Sequence, residues 1–109
     1  MMNRALSNMG LARRAGKLNW GYDTAVEAMK NGDVCLALTA ADLSEKTKKN
    51  VRFEAEKYNV PFVDTVFSMK EISAAIGKKT GVVVICDAGF AKKLMQELGA
   101  AGEREELRI

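Results

Sequence analysis

The side chains able to do chemistry in this chain are mostly cations. Arg4, Arg13, Arg14 and Lys17 stand within residues 1–17 without an acid among them, Lys46, Lys48, Lys49 and Arg52 form a second group, and Lys78 with Lys79 a third. The formal charge is only +3, so the distribution rather than the total carries the signal. Clustered Lys and Arg are the electrostatic footprint of a phosphate-backbone binder, and a solvated helix face has the same sequence signature. Charge alone leaves both readings open.

Acid–base and nucleophilic chemistry find little support. The chain has no histidine, no G-x-S-x-G elbow and no close pair of acids on an otherwise apolar wall. Ser7, Ser44, Ser68 and Ser73 read as helix and cap residues. Cys35 and Cys86 each sit in an apolar run, where a thiol behaves as a small hydrophobe, and a zinc site would want about four ligands at recognisable spacing. Core packing is the expectation for both cysteines, with no metal and no other cofactor. Ile85-Cys86-Asp87-Ala88-Gly89-Phe90 puts an acid and a glycine after an apolar run, superficially like a nucleotide-binding turn. It lacks G-x-G-x-x-G, and no P-loop pattern occurs elsewhere. Gly89 reads there as a turn residue and Phe90 as a core anchor, so an enzyme is the weakest of the function classes.

Gly21-Tyr22-Asp23-Thr24 opens a helix. Its unpaired backbone donors and the positive end of the helix dipole face any incoming phosphate. Every helix has such an end, however, and Asp23 is also an ordinary stabilising acid in a first turn. Trp20, just before it, suits either base stacking or anchoring an edge.

The elements that must position these groups follow from apolar period and from turn residues. Ala5, Leu6, Met9 and Ala12 recur at helical spacing until Gly16, and a short extended piece follows around Leu18. Tyr22, Val26 and Met29 mark a second helix, ended by Asn31-Gly32. Val34-Cys35-Leu36-Ala37-Leu38 is a buried strand with Ala40-Ala41-Asp42 as its exit. Ser44 caps a third helix whose inner face uses Val51, Ala55 and Tyr58 and whose basic residues face outward, and Asn59-Val60-Pro61 ends it. Phe62-Val63-Asp64-Thr65-Val66 is the next strand. Ser68-Met69-Lys70-Glu71 is a capping box with Phe67 and Ile72 as its hydrophobic staple, closed by Gly77. Val82 to Cys86 is a further buried strand, and Phe90, Leu94 and Leu98 line a final helix.

Helices alternating with buried strands predict an α/β fold: a three-layer α/β/α sandwich with a mixed sheet of about four strands. Residues 1–102 read as one domain and the charged segment 103–109 as a frayed tail. The second helix runs back against the strand that follows it, which places residues 21–24 at the same end as Ala40, Ala41 and Asp42. No run of about 18 or more apolar residues and no signal-type block occur, so a soluble, cytoplasmic protein without membrane partners is expected.

The order of these motifs resembles one family. Met9-Gly10-Leu11-Ala12-Arg13-Arg14-Ala15-Gly16-Lys17-Leu18, Gly21 to Gly32, Leu36 to Asp42 with Ser44 and Thr47, Asn59-Val60-Pro61, Ser68 to Gly77 and Asp87-Ala88-Gly89-Phe90-Ala91 are similar to the bacterial YlxQ-type proteins. These lie in the superfamily of archaeal ribosomal protein L-seven-Ae and eukaryotic L-thirty-e. The resemblance implies a non-catalytic binder of kink-turn RNA in a ribosomal or translation-linked role. Structured RNA, ribosomal RNA included, is the implied partner, and protein partners are compatible with it. It also implies the grip: the helix start Gly21, Tyr22, Asp23, Thr24 and Glu27, the strand exit Ala41 and Asp42, and the loop Lys78, Lys79 and Thr80. Arg13, Arg14 and Lys17 are expected to add backbone contacts, which position RNA without reading it.

Three departures from the relatives' pattern fall on the helix start, where Asp23, Thr24 and Glu27 stand in place of Asn, Glu and Lys. Aspartate has no amide donor, and Glu27 turns phosphate attraction into repulsion. Ala41 likewise stands where relatives often carry glutamate. The alternative expectation is therefore a protein-interaction module on the same fold, with lost or altered kink-turn binding.

Overall fold

Two faces of alternating side chains on short strands organise the molecule. The computed structural model describes residues 3–100, with Ala100 as backbone only; the expected frayed tail lies outside the described residues. The order is α1 (Arg4–Arg14), β1 (Leu18–Trp20), α2 (Tyr22–Lys30), β2 (Leu36–Thr39), α3 (Glu45–Lys57), β3 (Phe62–Asp64), α4 (Met69–Ile76), β4 (Val82–Ile85) and α5 (Ala88–Ala100). The four strands form one sheet in the order β1-β4-β2-β3. β4 is antiparallel to both β1 and β2, and β2 is parallel to β3. The sheet is mixed, as expected.

β2, β3 and β4 feed both cores because successive side chains point to opposite faces, while the edge strand β1 feeds one through Leu18 and Trp20. Leu18, Leu36, Leu38, Val63, Val83 and Ile85 pack with Met9, Ile72, Leu94 and Leu98 of α1, α4 and α5. Ala37, Phe62, Val82 and Val84 pack on the other face with Ala25, Met29, Val51 and Ala55 of α2 and α3. The result is a three-layer sandwich with α2 and α3 on one side. β2 and β4 are buried along their whole length, which is why they read as unbroken apolar runs.

The strands differ from their sequence outlines at the ends. β2 pairs from Leu36 to Thr39 and β4 from Val82 to Ile85, because their antiparallel register matches those four positions. Thr39, outside the expected strand, is fully buried, and its Oγ1 donates to Asp64 Oδ1 at 3.0 Å. β3 stops at Asp64, where the parallel ladder with β2 ends.

Helix starts follow the capping logic. Asn3 Oδ1 accepts from Ala5 N–H at 2.7 Å, and Ser44 caps α3 through Thr47 N–H at 3.2 Å. The α4 capping box is reciprocal: Glu71 N–H donates to Ser68 Oγ at 3.0 Å and Ser68 N–H to Glu71 Oε1 at 2.9 Å. Phe67 and Ile72, the expected staple, are buried in the same core. Gly10 lets α1 approach α4 closely, since a Cβ there would lie 2.7 Å from the Ala75 carbonyl oxygen.

Candidate nucleic-acid interface

β1, β4 and β2 bring three separate loops to one end of the sheet. Gly21 N–H donates to Val82 O at 3.0 Å, and Ala40 N–H donates to Gly81 O at 2.9 Å. The start of α2, the exit of β2 and the loop from Lys78 to Gly81 therefore sit side by side. The expected juxtaposition of residues 21–24 with Ala40, Ala41 and Asp42 is present.

The start of α2 is chemically distinct. Gly21 is its N-cap at φ 91° and ψ 149°, a conformation that L side chains rarely adopt, and it supplies no side-chain acceptor. The other four helices begin on Asn3, Ser44, Ser68 and, for α5, Asp87, whose Oδ2 accepts from Phe90 N–H at 2.9 Å. At α2 the first-turn amides of Tyr22, Asp23 and Thr24 have no side-chain cap. They leave donors and the positive dipole end directed at whatever approaches. Asp23, Thr24 and Glu27 are exposed there, and Tyr22 is half-buried against the α2–α3 core.

Cations border this end through an aromatic ring. Arg13 lies 5.2 Å and Lys78 5.5 Å from the Trp20 ring centroid, although one comes from α1 and the other from the loop after α4. Trp20 is half-buried against the core, so it anchors an edge and at the same time holds two cations beside Gly21. Arg14 and Lys79 are exposed on the same two segments.

Other expected site residues also carry structural contacts. Thr80 is buried, and its hydroxyl donates to Val82 O at 3.0 Å and accepts from Val82 N–H at 3.1 Å; its own N–H donates to Ser73 Oγ at 3.0 Å. Its side chain shapes the lysine loop from within. Asp42 Oδ1 accepts from Met69 N–H at 2.8 Å, tying the β2 exit to α4. Lys17 stands at the opposite end of β1, where its carbonyl accepts from Cys86 N–H. About 13 Å of extended chain separates it from Gly21. Ala41 is exposed, with its N–H on Phe67 O and its carbonyl oxygen accepting from Lys48 Nζ at 2.7 Å.

Lys48 is the residue that sequence reasoning misplaced. The helical period places it with the outward cations of α3, yet it turns inward to donate to Ala41 O at 2.7 Å and Asp64 Oδ2 at 3.0 Å, with Glu45 at 3.6 Å. Burial by itself would lower its pKa, but the hydrogen bond and charge of Asp64, helped by Glu45, outweigh that and hold the ammonium above its ordinary range. A lysine four residues after a helix cap, with an acid on the neighbouring strand, is the signal that was there to find.

The cysteines lie at the other end, and both are half-buried at the rim of the core rather than inside it. They pack against opposite faces of the sheet. Burial pushes the Cys86 thiol pKa up, while the Asn19 side-chain amide, donating to its sulfur at 3.6 Å, works the other way. Asp87 serves as the α5 cap, so the acid-glycine turn is accounted for by helix geometry. Among the described residues no group of three or more His, Cys, Asp and Glu side chains could hold a metal ion, and no helix is long and apolar enough to cross a membrane.

This fold, with this loop cluster, is that of a known group of proteins. Residues 3–95 match the ribosomal protein L7Ae/L30e/S12e/Gadd45 family, and the chain belongs to it. Within that family it is similar to the RNA-binding protein YlxQ of Enterococcus faecium, 41% identical over 90 residues that cover 83% of this chain and 86% of that one. The RNA-binding protein YlxQ of Bacillus subtilis is 37% identical, over 83% of this chain and 90% of that one. A solved structure of a Bacillus halodurans protein of unknown function superposes with a TM-score of 0.84 at 34% identity, covering 89% of this chain and 98% of that one.

Proposed function

We propose that this protein binds a structured, kink-turn-like RNA in a ribosomal or translation-linked role, through the end of the sheet where α2 begins, and that it performs no catalysis. The observation that carries the reading is the meeting of an uncapped helix start at Gly21 with Lys78 and Arg13, held together by Trp20. In this reading the first-turn amides and the dipole of α2 meet phosphate oxygens, while Lys78, Lys79, Arg13 and Arg14 neutralise the backbone on one side. Gly21 lets the chain turn into the helix with no Cβ in the way of the strand being bound. The names of the YlxQ relatives as RNA-binding proteins support the same assignment.

A second reading rests on the acids. Asp23, Thr24 and Glu27 line a shallow groove with Asn19, Asn31 and Asp33 beside the edge strand β1, and such a surface suits a protein partner better than phosphate.

The test is titration of a kink-turn RNA across a range of salt, with the parent chain and with Lys78→Glu combined with Lys79→Glu. Affinity is expected to fall as salt rises. The double variant should bind on the order of tenfold or more weakly at low salt, with a salt slope shallower by about two. Both lysines are exposed, so the melting temperature should stay put. Absence of binding to structured RNA at low salt would sink the RNA reading in favour of the protein partner.

A further inference from the structure

From the outer face of α3 we infer a second contact surface for RNA, continuous with the first: a single-stranded segment leaving the kink runs along this helix. Its phosphates lie on Lys46, Lys49 and Lys57, and an unpaired base lies on Phe53. The inference rests on the RNA-binding reading above and extends it away from the α2 end.

Phe53 is 62% exposed, the largest exposure among the big apolar side chains described. At about 100° per residue, Lys46, Lys49 and Lys57 fall within roughly 40° of the direction of Phe53, so the four share one stripe. All three lysines are exposed, and Lys46 and Lys49 have no ion-pair partner among the described residues. Lys57 lies 5.4 Å from the Tyr58 ring centroid at the far end. Two acids flank one side of the stripe, Glu56 at about 60° and Glu45 at about 80° from Phe53, against three ammonium groups, and Glu45 is already paired with Lys48 at 3.6 Å. From Lys46 to Lys57 the stripe runs about 17 Å, long enough for several nucleotides.

Two observations choose the occupant. The stripe is positive with an open aromatic face at its middle, the combination that binds single strands by backbone attraction and stacking. It also begins at the proposed site: α3 starts beside Ala41, whose carbonyl is held by Lys48 on the inner side of the same helix. A strand bound at Gly21 and Ala41 reaches Lys46 without crossing the acidic groove of α2.

The experiment compares a blunt-ended kink-turn RNA with the same RNA carrying a single-stranded extension of about ten nucleotides, placed at each end in turn. The parent protein is expected to bind one extended form roughly tenfold tighter than the blunt form. Lys46→Gln, Lys49→Gln and Lys57→Gln together should erase that gain, make the salt slope shallower by about two, and leave the blunt RNA bound as before. Phe53→Ala alone should remove most of the gain, and thermal melts should match the parent because all four side chains are exposed. If the blunt RNA binds and neither extension adds affinity, the second surface is disproved while the primary site stands. If neither RNA binds, the primary reading fails and takes this one with it. Binding of polyglutamate that the triple variant abolishes, with no change toward extended RNA, would make the stripe a protein-facing surface and overturn the inference.

Discussion

α2 and α3 lie side by side on the same face of the sheet, and both start at the end where the loops converge, yet their outer faces have opposite character. α2 presents Asp23 and Glu27 over a groove that also holds Asp33, whereas α3 presents Lys46, Lys49 and Lys57 around an open Phe53. Burial cannot explain the difference, because both helices bury a narrow apolar stripe in the same core. What differs is the solvent side, where sequence is free of packing. A polyanion meeting this end is repelled along one helix and attracted along its neighbour, so charge sets the direction in which a bound strand leaves.

The largest expected effect concerns the lysine that breaks the pattern of α3. Lys48 bonds Ala41 and Asp64 with its side chain only 13% exposed, so Lys48→Met should cost about 2 kcal/mol of stability. The outer lysines should cost almost nothing. Because the folded ammonium holds its proton to higher pH than the unfolded one, its contribution is complete below the unfolded value of 10.5 and disappears as pH rises through the folded value. Melting temperatures of parent and variant should therefore differ at neutral pH and converge at strongly alkaline pH. Equal melts at neutral pH would place Lys48 with the solvated lysines after all.

Reversing the acidic face is the next step down. Asp23→Asn with Glu27→Lys removes two negative charges and adds one positive, which should tighten kink-turn RNA binding on the order of tenfold at low salt and less at high salt. The helix should tolerate it, since lysine is a good helix former and Asp23 is one exposed acid in the first turn. A folded double variant that binds no better than the parent would show that α2 turns away from RNA, and the protein-partner reading of its groove would gain.

The smallest effect should come from the ring between the cations. Trp20→Leu keeps an apolar plug at the edge but frees Arg13 and Lys78, and a contact of this type contributes about 0.5–1 kcal/mol. RNA affinity should fall only a few-fold, with the salt slope unchanged because the charges remain. A shallower slope would mean that the ring decides whether those cations reach phosphate at all.

Much of the architecture is visible in the chain itself. The capping box at Ser68, the helix ends at Gly16, Gly32 and Gly77, and the two apolar runs of β2 and β4 are local signals, because period and backbone hydrogen bonding within a few residues determine them. The family pattern is equally linear, and it located the helix start at Gly21 and the loop at Lys78. Tertiary structure decided which of those residues are available. Thr80 looks like an open polar group in sequence, but the loop closing onto Val82 takes up the hydrogen bonds of its hydroxyl, whereas Asp42 stays exposed with one carboxylate oxygen engaged by Met69 N–H. Lys48 and Lys49 are adjacent and chemically identical, and only the neighbouring β3 strand, bringing Asp64 under α3, turns one inward and leaves the other in water. Lys17 and Gly21 are four residues apart, and pairing of β1 with β4 sends them to opposite ends of the sheet. Strand order and register join positions distant in sequence, so a side chain's partner across the sheet is written nowhere near it.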